Sequence, residues 1–191
     1  MSKKLKELTF EDLEGSITHL FYELDTLKEI SILLSENPSA KGTEHNALVE
    51  SFVIHARGLI AFLFYERREG DDVMANNYFQ YREWEELIGI DESSKLKDCM
   101  PSILRDTLER GNKEVAHITT FRVGKKLIEK QWEHVQITSE IYRHFMLFFK
   151  NVSKEYIDEK IMSSFLINYD AISKRPIAIN YHSADTSMRS T

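Results

Sequence analysis

Residues 47–65 read ALVESFVIHARGLIAFLFY, and the fold turns on how this stretch is taken. Apolar side chains fall on nearly every side of a helical projection. Such a helix belongs in the middle of a bundle, covered by other helices or by a second subunit. Its run GLIAFLFY is too short by itself to cross a bilayer, so the stretch reads as a core helix from about Glu44 to Tyr65. The few polar side chains it carries, Glu50, Ser51, His55 and Arg57, then need partners or a purpose.

Upstream of the central helix, Leu13, Ile17, Leu20, Leu24 and Leu27 repeat at alternating spacings of four and three, one apolar stripe of a helix. Thr9 and Asp12 have capping-box spacing, and Leu8 and Leu13 occupy the two positions of a hydrophobic staple. Asn37-Pro38 stops this helix, and NPSAKGTEHN is a polar loop. Downstream, DDVMANNYFQYREWEELIG is aromatic-rich and reads as short helical pieces. Its Tyr78, Phe79, Tyr81 and Trp84 suit a core or an interface, with base stacking as the functional alternative. Pro101 fits the first turn of a helix running to about Arg122, which Gly111 weakens. A last long helix begins near Ile128 or Trp132 and includes Val135, Tyr142, Phe145, Met146, Phe149 and Val152. From Ser163 the periodicity fades. The expectation is an all-α, up-and-down bundle of about four long helices plus short ones, with one domain over residues 1–162 and an irregular tail over 163–191.

The 191 residues are 42% hydrophobic and 29% charged, with 7 Gly and 3 Pro, the balance of a soluble globular chain rich in regular structure. A net charge of -6 argues against a non-specific duplex-DNA binder. Cys99 is the single cysteine, so neither an internal disulfide nor a cysteine-based zinc cluster can form. With no apolar core near the start, a cytoplasmic protein without a membrane segment is expected. Glycine-rich phosphate loops, dinucleotide fingerprints and G-x-S-x-G elbows are missing from the sequence.

Chemistry is concentrated in RGNKEVAH, Arg110–His117. Arg110 and His117 stand two helical turns apart on one face, about 10 Å along the axis. That is too far for one hydrogen bond but close enough to bracket a phosphodiester. A guanidinium can hold a phosphate, and an imidazole can move a proton near neutral pH. Glu114 lies between them and could orient either, or could simply pair with Arg110 at i, i+4.

Arg, six residues, then His, on a late helix of an all-α bundle, resembles the R-x(4-6)-H motif of the HEPN (higher eukaryotes and prokaryotes nucleotide-binding) superfamily. The resemblance implies a metal-independent endoribonuclease of toxin or phage-defence type, in which the RNA 2'-hydroxyl attacks the adjacent phosphate. His117 would be the acid/base and Arg110 the phosphate clamp, with Asn112 and Glu114 assisting. Glu50, on the preceding helix, would be the polar residue facing the motif. A homodimer, an RNA substrate and an antitoxin partner are implied, and no cofactor or metal. The alternative is a non-catalytic interaction module with the same residues in a structural network, Glu50 pairing with Arg57 or Arg122, and His55 a satisfied core histidine. A third option is metal: Glu114–His117 is an E-x-x-H unit, but no second unit accompanies it, and Glu140 with His144 is a lone i, i+4 pair. Gly124-Lys125-Lys126 and Lys130 are a basic cluster, either a solvated helix start or an RNA-backbone contact.

Overall fold

A computed structural model of the chain describes residues 7–37, 41–66, 72–91, 94–115, 132–157 and 159–173. The fold is all-α: 77% helix, with no strand among the described residues. Its helices are α1 (Phe10–Glu36), α2 (Thr43–Phe64), α3 (Glu83–Leu87), α4 (Ser102–Arg110), α5 (His134–Asn151) and α6 (Glu159–Ser173). Short 3₁₀ turns span Ala75–Tyr78 and Leu96–Cys99.

α1 begins where its capping box predicts. The Asp12 amide donates to Thr9 Oγ1 at 3.1 Å, and the Thr9 amide donates to Asp12 Oδ2 at 3.0 Å. The reciprocal bonds satisfy two amides that the first turn leaves open, worth about 1 kcal/mol for a cap of this kind. The stripe from Leu13 to Leu27 is buried and continues through Ile30 and Leu34.

α2 is the central element, packed against α1, α4 and α5. Phe52, Val53, Ala56, Leu59, Ile60 and Leu63 are removed from solvent. Ala47, Glu50, Ile54 and Gly58 form an exposed strip on its outer side, with Ile54 59% exposed. Counting only uninterrupted apolar residues underestimates this element. The whole 22-residue helix has a mean hydropathy of 1.7 over its most apolar window, enough to cross a membrane by length and composition. Within that window 44% is buried in the fold, by packing on α1, α4 and α5.

Between α2 and α5 the aromatic residues converge on Phe148, whose ring meets those of Phe62, Tyr78, Phe79, Trp84, Phe145 and Phe149. The polar tips reach helix carbonyls: Tyr78 donates to Leu13, Trp84 to Leu63 and Tyr142 to Leu24. Tyr78 and Trp84 are therefore core, and of the four aromatic residues singled out in this segment Tyr81 is the exposed one, at 92%.

α4 spans Ser102–Arg110 and winds on as a π turn over Gly111–Val115; the rest of the expected run to Arg122 lies outside the described residues. One expectation about element lengths is corrected. The irregular tail does not begin at Ser163, because α6 runs to Ser173. Phe165 is buried, stacked on Tyr142 and edge-on to Phe149, and Ile172 is buried near the helix end. Asn168 ties the helix to α1, donating to Asp25 and accepting from Lys28. The exposed Leu166 and Ile167 on the outer face obscure the period that Phe165 and Ile172 would otherwise display.

Candidate functional site

Arg110 is the last residue of α4, and the π turn after it carries Gly111, Asn112 and Glu114. Gly111 owes its identity to a close approach. A Cβ there would lie 2.8 Å from Val53 Cγ1 and 2.9 Å from Arg57 Cδ. Its backbone is right-handed, with φ -56, so space and not conformation requires glycine. By this contact α2 sets the position of the turn.

The Arg110 guanidinium is gripped from two directions. Nε donates to Glu114 Oε1 and Nη2 to Oε2, each at 3.1 Å, a fork-on-fork pair. The side chains are 22% and 12% exposed respectively. The guanidinium carbon also stands 4.1 Å from the centroid of the Trp132 ring, where the electron-rich face attracts a cation. Glu114 thus both pairs with Arg110 and fixes its orientation, the two roles open to it in the sequence.

Asn112 is exposed on the same turn. His117 lies outside the described residues, as do Arg122 and the basic cluster at residues 124–130. Glu50 is exposed on α2, one turn from Val53. The expected Glu50–Arg57 ion pair is absent among the described residues: the two stand seven positions apart, and Arg57 lays its aliphatic stem along Gly111 instead.

Sequence reasoning missed three residues at this end of the bundle. Trp132 is the stacking partner of Arg110, and its carbonyl oxygen is 2.8 Å from His134 Nδ1. A carbonyl only accepts, so Nδ1 carries the hydrogen and Nε2 keeps its lone pair. The His134 ring stands edge-on to Phe52, centroids 6.1 Å apart. Burial holds its pKa below the ordinary 6.5, opposed by its bond to Trp132 and by Glu133, and assisted by nearby His45. His45 itself has a buried Nδ1 with no hydrogen-bond partner among the described residues. None of these residues shares a short motif with Arg110, and only the approach of α5 to the end of α4 unites them.

The other polar candidates are accounted for elsewhere. His55 is half-buried and satisfied by Glu23, Nδ1 to Oε2 at 2.6 Å. Glu23 also borders a groove of about 290 Å³ between α1 and α2, together with Ser16, His19 and Gly58 over a floor of Leu20, Leu59 and Phe62. The Glu140 carboxylate is taken by Arg143, which holds its pKa down. His144 is buried edge-on to Phe64, with Nδ1 on the Glu140 carbonyl at 2.9 Å. Among the described residues no group of three His, Cys, Asp or Glu side chains is arranged to hold a metal.

No family model, no curated protein and no solved structure matches the chain.

Proposed function

We propose that this end of the bundle takes a phosphodiester, and that the protein is a HEPN-like endoribonuclease working without a metal. The reading rests above all on Arg110: a planar guanidinium, part-exposed, oriented by Glu114 and Trp132, at the helix end just before the turn that presents Asn112. A clamp already fixed in orientation loses little entropy when it engages a phosphate. His117 supplies proton transfer in this scheme, as the R-x6-H pattern implies.

Homodimerisation, by the exposed strip of α2 around Ile54, would bring two such ends together. A cytoplasmic setting, an RNA substrate and an antitoxin partner belong to the same proposal. The test is cleavage of single-stranded RNA in EDTA, with light scattering for the oligomeric state. Cleavage by the wild type and its loss in Arg110→Ala support the reading; equal rates in both remove it.

The second reading is a non-catalytic interaction module. The observation favouring it is that the Arg110–Glu114 pair closes within one subunit, as a structural ion pair does. A folded protein that cleaves no RNA would leave this reading in place.

A further inference from the structure

We propose that α2 pairs with the α2 of a second copy, antiparallel about a two-fold axis at Ile54, so that Glu50 of each copy meets Arg57 of the other. The pairing gives the homodimer reading above its geometry and rests on that reading, and it stands apart from whether RNA is cleaved. Ala47, Glu50, Ile54 and Gly58 recur at spacings of three and four along one exposed face, which the half-buried Ala61 continues. Ile54 stands 59% exposed at the centre of the strip. Gly58, one turn on, has nothing within 4 Å of where a Cβ would lie. Only 44% of the most apolar window of this helix is buried within one subunit, and apolar surface left open on such a scale marks an interface.

The two charges of the face decide what covers it. Glu50 and Arg57 stand two turns apart on the same edge of the strip, and neither makes an ion pair among the described residues. A hydrocarbon cover would leave both charges unsolvated. A parallel copy would set Glu50 against Glu50 and Arg57 against Arg57, and like charges across an interface repel. An antiparallel copy reverses the order along the helix. Ile54 then faces the partner's Ile54, Ala47 faces the partner's Ala61, and Glu50 comes within one residue of the partner's Arg57. The small side chains at Ala47, Gly58 and Ala61 let the two helices approach closely on either side of Ile54. Arg57 lays its stem along Gly111, so the partner's Glu50 arrives beside the turn that follows Arg110. The acidic residue facing the candidate site is thereby contributed by the other subunit.

Sedimentation velocity of the full chain, over a range of concentrations, is the test. The wild type should be a dimer. Glu50→Arg and Arg57→Glu each set like charges across the axis and should weaken dimerisation at least about 100-fold. The double variant exchanges the two charges and should return to within about fivefold of the wild type. A wild type that stays monomeric at about 100 µM overturns the pairing, whether or not that face takes lipid vesicles or another protein. Single variants that dimerise as the wild type does, or a double variant that is not restored, overturn it as well. If Arg57→Glu loses helicity, thiol cross-linking in a Cys99→Ser background decides. Ala47→Cys and Ala61→Cys chains that form a disulfide when mixed, and not when alone, support the antiparallel pair; any other pattern overturns it. A charge-dependent dimer that leaves RNA intact removes the nuclease reading and keeps the pairing, and cleavage by a monomer does the reverse.

Discussion

Arg110 and Glu114 meet through two parallel hydrogen bonds of 3.1 Å at the junction of α4 and the π turn, with most of both side chains withdrawn from water. The pair fixes the plane of the guanidinium, and Trp132 lies under that plane. Lysine can reproduce neither the fork nor the stack. Arg110→Lys should therefore cost about 1 kcal/mol, and Glu114→Ala about 1–2 kcal/mol because it removes both charge-assisted hydrogen bonds from a part-buried cation. Urea denaturation followed by circular dichroism measures both. A Lys variant as stable as the wild type would mean that the fork contributes nothing.

Gly111→Ala should destabilise by about 1–3 kcal/mol, the usual cost of overfilling a packed contact. The Arg57 stem can swing away, but Val53 is fully buried and β-branched and cannot. Val53→Ala removes the obstructing methyl, so the double variant should be more stable than the two single losses add to. Strict additivity would show that Gly111 and Val53 do not press on each other.

Phe148 joins the aromatic residues of α2, α3 and α5 into one cluster. Phe148→Ala should cost about 3–5 kcal/mol. At about 2–4 °C per kcal/mol for a domain of this size, calorimetry should register a fall in Tm of some ~6–20 °C. A change below ~2 °C would mean that the cluster is not the core.

His144 is buried and neutral, its pKa lowered first by burial and then by the Arg143 charge, against the Glu140 carbonyl and carboxylate. The unfolded chain therefore takes up the proton more readily than the folded one. Stability from this group is complete above the ordinary histidine pKa of 6.5 and falls as pH drops below it toward the folded value. His134 acts in the same direction. The urea midpoint should decline between pH 7 and 5.5, and less so in His144→Asn. An identical decline in that variant would assign the effect to other groups.

The parts of the fold legible in the sequence were those with one-sided patterns or local signals: the α1 stripe, its capping box and the all-apolar α2. α6 was not legible, because Leu166 and Ile167 break the one-sidedness by which a helix is recognised. At the candidate site, Arg110 and Glu114 were visible because four residues is one helical turn. Trp132, His134 and His45 were not, since they come from the start of α5 and the first turns of α2 and meet only after the chain has packed. Gly111 read as a flaw in a helix until Val53 and Arg57 were seen against it.

The most direct test of the account is cleavage of a single-stranded RNA in EDTA by the wild type, Arg110→Ala and His117→Ala, each checked for native helicity. The account predicts wild-type cleavage leaving 2',3'-cyclic phosphate ends, with both variants slowed at least about 100-fold. Folded wild type that leaves RNA intact, or variants that cleave as fast as it does, would contradict it.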